Sequence, residues 1–298
     1  MPDPNGICKW PVVHVSDRDL SILVTMMNVR TRKRCSPVRA IVLLVFFALC
    51  LRGCALVACR RSDTVTVVER ERASRRLNPD GFVMRDGRYR FESAGLVCDR
   101  TGIDVSDHQD AIDWDAVARD GISFAMIRVG WRGTTEGGLH ADEDFYANLN
   151  GARAAGIACG AYFFSQATSV EEAQAEAEFV LDLLGGCYLE YPVAFDYEVE
   201  HGTRVDGVSP ATIAAAAETF CTTLDNAGYG PMLYGNTYDL ARYGAETCQK
   251  WAVWCAEYDG SPSFDGIPVL WQYTNTGAVA GINSHVDLNL DLSGAAEL

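Results

Sequence analysis

No apolar run in this 298-residue chain exceeds twelve uninterrupted residues, too few for the ~20 that a membrane-spanning helix needs. Eleven cysteines are present, but no two stand in a CxxC spacing and no histidine set lies near them, which argues against a zinc site. The five histidines form no spacing that fits a catalytic triad or a metal. No glycine-rich dinucleotide loop follows any strand-like run, and no internal repeat is visible. Basic residues become scarce in the second part of the chain. Residues 99–298 hold 8 Lys+Arg against 31 Asp+Glu, a charge of −23, whereas residues 1–98 hold 17 against 9, a charge of +8. A domain that acidic repels phosphate backbones, so nucleic acid is excluded as its partner.

The basic first part has the order of a targeting segment. Arg30, Arg32, Lys33, Arg34 and Arg39 precede the apolar run Ala40–Leu51, and a second apolar stretch, Cys54–Cys59, follows Arg52-Gly53. This suits a signal-peptide core. Leu56-Val57-Ala58-Cys59 has the form of a lipobox, with Cys59 as the lipidated residue, and Leu51-Arg52-Gly53-Cys54 is a poorer match. Because a charge inside a signal core is costly, Arg52 keeps an uncleaved membrane anchor open as the alternative. Export to the cell envelope is expected on either reading. Residues 1–59 are thus assigned to targeting, 60–98 to an Arg-rich tether with a hairpin at Asp86-Gly87, and 99–298 to the main domain.

From Thr101 onward, β-type runs alternate with helix-type runs. Eight strands are expected: Gly102–Ser106, Phe124–Gly130, Ile157–Ser165, Tyr191–Glu198, Pro231–Asn236, Trp251–Tyr258, Pro268–Thr274 and Val286–Leu290. Helices are punctuated by Ser169 with Glu172, by Ser209-Pro210, and by stops at Gly156, Gly185-Gly186 and Gly228. After Asn236 the connections shorten. Strands alternating with helices imply parallel pairing, and eight of them predict an α/β fold of TIM type, a closed (β/α) barrel with an incomplete outer ring. A doubly wound open sheet is the alternative.

The strand ends carry acids, which are poor strand formers and resist burial. Asp104, Asp196, Glu198 and Asp287 all fall in apolar runs. In one strand Asp196 and Glu198 share a face, roughly 6–7 Å apart, and like charges that close raise one pKa, as a general acid beside an ionised partner requires. Cleavage of a glycosidic bond uses such a pair, and the backbone spacing is compatible with both retaining and inverting geometry. Arg128 is the competitor, since it can neutralise one member of the pair. Tyr162, Tyr234, Trp254, Trp271 and Tyr273 stand where rings stack on sugars, although aromatics also dominate cores. Gln272 offers an amide for sugar hydroxyl and N-acetyl groups.

The ordered set of motifs resembles the glycoside hydrolase family 25 lysozymes, the Chalaropsis-type muramidases. The resemblance runs from about Thr101 to Gly294. It rests on Gly102-Ile103-Asp104-Val105-Ser106 with Gln109 and Trp114, on Gly160-Ala161-Tyr162-Phe163-Phe164, and on Phe195-Asp196-Tyr197-Glu198. Tyr234-Gly235-Asn236, Trp271-Gln272-Tyr273 and Val286-Asp287-Leu288-Asn289 complete it. A lone D-x-E is weak, because chitinases also carry one. The resemblance implies eight strands and about five helices, no metal or cofactor, a monomer, and hydrolysis of β-1,4 bonds between N-acetylmuramic acid and N-acetylglucosamine in peptidoglycan. It assigns Glu198 as proton donor, Asp196 to stabilise the charged transition state or to orient the substrate N-acetyl group for attack, and Asp104 and Asp287 to position substrate and tune the central pair. Tyr162, Tyr234, Trp271, Gln272 and Gln109 are then expected to contact substrate. A chitinase-like N-acetylglucosaminidase and a non-catalytic glycan-binding surface protein are the competing functions. The chain departs from the family pattern in its N-terminal segment and in having no wall-binding repeats.

Overall fold

The structure, a computed structural model, describes residues 76–297. The export segment, including Cys59 and Arg52, and the first part of the expected tether lie outside the described residues.

Three short antiparallel strands open the described chain: β1 (Phe82–Arg85), β2 (Arg88–Ser93) and β3 (Leu96–Cys98). The expected hairpin is present, with Asp86 and Gly87 both at positive φ, 51° and 77°, the backbone that a two-residue turn needs to match strand twist. The stretch expected as tether is therefore folded from β1 onward.

A closed eight-stranded barrel follows. In chain order its strands are β4 (Thr101–Val105), β5 (Ile122–Arg132), β7 (Ala158–Phe164), β8 (Val193–Asp196), β9 (Pro231–Asn236), β10 (Ala252–Ala256), β11 (Leu270–Gly277) and β12 (Val286–Asp291), while β6 (Leu139–Ala141) extends the sheet as a partner of the far end of β5. Pairing of β4 with β5 closes the ring. Every expected strand is found. One expectation fails in direction: β12 runs antiparallel to both β11 and β4, because the connection after β11 is too short for a helical crossover back to the same end.

Helices cover part of the outside: α1 (Trp114–Arg119), α2 (Phe145–Ala154), α3 (Val170–Leu184), α4 (Pro210–Asn226), α5 (Thr237–Tyr243) and α6 (Ala245–Lys250). The helix signals act as read. Ser169 accepts from the Glu172 N–H and Ser209 from the Thr212 N–H, and α3 stops at left-handed Gly185. The Glu172 side chain turns to the Thr168 N–H at 2.7 Å, so the expected reciprocal box is shifted by one residue. Gly244, at φ 82°, breaks what is otherwise one helical stretch into α5 and α6.

Two apolar layers result. Outward-facing strand residues such as Phe163 and Phe195 meet α3 and α4, with the Phe195 and Phe220 rings 4.9 Å apart. Inward-facing Phe124, Met126, Tyr191, Ala194, Met232, Trp254 and Leu270 fill the barrel. Gly102 faces the Phe124 ring so closely that an added Cβ would collide with it. Gly102→Ala is accordingly expected to cost about 1–3 kcal/mol through overpacking, read from the denaturant midpoint; wild-type stability would show that Phe124 can move aside. Among the described residues no helix lies between β10 and β11 or between β11 and β12. There β1 and β2 take the helix's place. Phe82 and Tyr89 pack on Trp271 with ring centroids 5.0 and 4.9 Å away.

Candidate active site

Strand direction decides which side chains reach the open end of the barrel. Asp104 is the next-to-last residue of β4 and Asp196 the last of β8, with Glu198 two residues beyond. Asp287 is the second residue of antiparallel β12 and stands directly opposite Asp104 in the register. Reversal of β12 thus brings an early residue of that strand to the end where the parallel strands finish. All four acids expected from sequence converge.

Asp104 is 7% exposed. One of its oxygens accepts from Gln272 Nε2 at 3.0 Å and from Asn289 Nδ2 at 2.7 Å, and its carboxyl meets that of Asp287. Burial, and then the Asp287 charge, push Asp104 well above the usual carboxylate range. Asp287, itself raised by burial, is less enclosed.

Asp196 and Glu198 form the second pair. Burial first, then Glu198 and Asp104, raise Asp196 well above its ordinary value. Its Oδ1 is buried with no N–H or O–H donor from the described residues. The two carboxyls are in contact and share a hydrogen bond. Glu198 is raised to about 7, by burial first and then by the charges of Asp239 and Glu200. A carboxyl held protonated near neutral pH can serve as a general acid.

Among the described residues, no cation quenches the pairs. Arg128, the competitor, is taken by Asp107 at 2.5 Å and Asp142 at 2.7 Å, with its guanidinium 4.7 Å over Trp131. Among the described residues, no ion pair involves Asp104, Asp196, Glu198 or Asp287.

The remaining expected residues divide. Tyr162 and Tyr234 line the mouth, each edge-on to Trp254 at 6.1 and 4.5 Å. Gln272 is there too, but largely occupied: its Oε1 accepts from the Tyr234 and Tyr258 hydroxyls, both at 3.0 Å, while its amide N–H serves Asp104. It organises the site rather than offering a free amide. Trp271 does not reach the mouth. It points outward, fully buried under β1 and β2, and its indole N–H donates to the Glu257 carbonyl at 2.7 Å. Gln109 is also placed elsewhere, as a cap whose Oε1 accepts from the Ser106 N–H at 2.8 Å.

Three participants escaped the sequence reading. Asn289 bridges Asp104 and the Trp254 indole, which donates to its Oδ1 at 2.7 Å. Tyr258, half exposed, closes over Gln272. Asp239 sits at the start of α5. Only Asn289 left a trace, as a second polar residue two places after Asp287.

A profile of the glycosyl hydrolases family 25 matches residues 103–282. The chain belongs to this family. The family 25 domain is 32% identical over 215 residues to "Lysozyme M1" of Streptomyces globisporus, covering 66% of this chain and 69% of that protein. It is 29% identical over 189 residues to the "Autolytic lysozyme" of Clostridium acetobutylicum, covering 63% of this chain and 54% of the relative; the match thus spans about half of that longer protein. Among solved structures, the bacterial lysozyme from Streptomyces coelicolor superposes with a TM-score of 0.55 at 27% identity, over 67% of this chain and 94% of that one. The modular autolysin LytC from Streptococcus pneumoniae, at 23% identity and TM-score 0.58, shares the fold over 70% of this chain and 52% of its own.

Proposed function

We propose that this family 25 protein is a peptidoglycan hydrolase cutting the β-1,4 bond between N-acetylmuramic acid and N-acetylglucosamine. The reading is carried by one observation, the pairing at the barrel mouth of buried Asp196 with partly buried Glu198, which has no cationic partner among the described residues. Two of the relatives it resembles are named as lysozymes. Glu198 protonates the leaving glycosidic oxygen. Asp196, relieved of the shared proton, becomes the negative group that stabilises positive charge developing at the anomeric carbon or orients the substrate N-acetyl group. Asp104 and Asp287 hold a second proton-sharing pair beside them, and Tyr162, Tyr234 and Tyr258 flank the space where a sugar ring would lie.

Mass analysis of peptidoglycan digested by the purified protein tests this. Fragments ending in reducing muramic acid are expected. Reducing N-acetylglucosamine ends, or faster turnover of chitin oligomers, would replace the reading with the chitinase-like one; binding of muropeptides with no new reducing ends would leave a glycan-binding protein.

Such a substrate lies outside the membrane, in keeping with residues 1–59 as an export segment that ends either in lipidation at Cys59 or in an uncleaved anchor. Mass spectrometry of the mature N-terminus separates the two: a chain beginning at Met1 in the cytoplasm would rule out export altogether.

A further inference from the structure

Glu198 is not part of a strand. Because β8 ends at Asp196, the backbone that carries the carboxyl depends on neighbouring loops. The Tyr197 hydroxyl donates to the Ala167 carbonyl at 2.9 Å, Gln166 Nε2 to the Glu198 carbonyl at 3.4 Å, and the Val199 N–H to Asp239 Oδ1 at 3.4 Å. The last contact is unusual, since it brings a third carboxylate to the segment.

Asp239 is 6% exposed. The start of α5 is already capped without it, by Asn236, whose Oδ1 accepts from the Tyr238 and Asp239 N–H groups at 2.9 and 3.1 Å. Asn236 Nδ2 also donates to Asp239 Oδ2 at 2.6 Å. Gly235 leaves the space: a Cβ there would stand 3.0 Å from the Asp239 Cβ. One carboxylate oxygen is therefore fixed by Asn236, and the other is turned toward Val199, with Arg242 Nε 3.7 Å away. Neither the helix nor the core requires an acid at this place.

We infer that Asp239 is a positioning residue for hydrolysis, anchoring the Glu198 segment through the Val199 N–H and holding a negative charge beside the Glu198 carboxyl. The inference rests on the assignment of Glu198 as proton donor. Groups facing Glu198 are Asp196 from β8, Glu200 downstream, Asp287 from β12, Tyr234 from β9, Tyr258 after β10, and Asp239. Those facing Asp239 are Arg242, Tyr243 and Asp196. Of the charges that keep the proton on Glu198, Asp239 has the largest influence after burial itself.

The sign follows. Removing the Asp239 charge lets Glu198 lose its proton at lower pH, so the alkaline limb of kcat/KM moves down. Removing Arg242 leaves Asp239 uncompensated and moves the limb up. The test is the pH–rate profile of the full chain on peptidoglycan for Asp239→Asn and Arg242→Gln. Asparagine can still accept from the Val199 N–H, so the anchor survives while the charge goes. Asp239→Asn is expected to shift the limb down by about half a unit, a loss of about threefold above it, with little change at pH 5; Arg242→Gln is expected to shift it up. Limbs that superimpose on wild type, or rates lowered equally at every pH, would overturn the inference. If Asp239→Asn does not fold, the Arg242→Gln profile decides alone. Failure of the proposed function looks different, since wild type itself would then release no reducing ends.

Discussion

Glu198→Gln is expected to lower peptidoglycan turnover by about 10²–10⁴-fold, the usual worth of a positioned general acid. Glutamine keeps the shape of the protonated carboxyl and its hydrogen-bonding reach, but it has no proton to give. The fold should survive and even gain. Glu198 is raised from 4.5 to about 7 in the folded chain, so the folded state binds its proton more tightly than the unfolded one. The stabilisation this gives is full below pH 4.5 and is lost as pH rises through about 7. Asp104, Asp196 and Asp287 are displaced in the same direction, chiefly by burial. Wild type is therefore expected to lose stability on going from pH 4 to 8, and Glu198→Gln to lose less of it. Reducing-end release and thermal melting at both pH values check the two halves of this expectation. A substituted protein that hydrolyses at the wild-type rate would remove Glu198 from the chemistry.

Trp271→Ala is expected to destabilise the protein by about 3–5 kcal/mol, the range for truncating a large buried aromatic. Its ring is enclosed by Phe82, Tyr89 and Tyr273 with centroids 4.9 to 5.5 Å away, and it joins the N-terminal sheet to the barrel wall. Since it does not face the mouth, KM for peptidoglycan should stay near wild type in the fraction that remains folded. Urea unfolding combined with kinetics reads both quantities. A rise in KM with unchanged stability would mean that Trp271 meets the glycan after all.

The barrel was legible because eight apolar runs punctuated by caps and glycines leave few other topologies, and because four acids inside such runs have no structural excuse. The direction of β12 was not legible. Alternation has no polarity, and only the length of the connection from β11 hinted that the chain turns straight back. The misplacement of Trp271 was avoidable in principle: adjacent residues of a strand face opposite sides, so Trp271 and Gln272 cannot both line the mouth, and it is the amide that joins the carboxylates. Gln109 likewise stood three residues after Ser106, the spacing of a cap. Asp239 was hidden for the opposite reason. An acid in the first turn of a short helix reads as a solvated residue, and its burial depends on its packing against Gly235 and on the loop that follows β8.

The reversal of β12 bears on where the working unit ends. The family match stops at residue 282, whereas the strand carrying Asp287 and Asn289 spans Val286–Asp291. A fragment trimmed to the matched region would lack the last stave, along with one member of the Asp104 pair and the amide that binds Trp254. The hoop would stand open between β4 and β11. For this protein, homology delimits less than the machine.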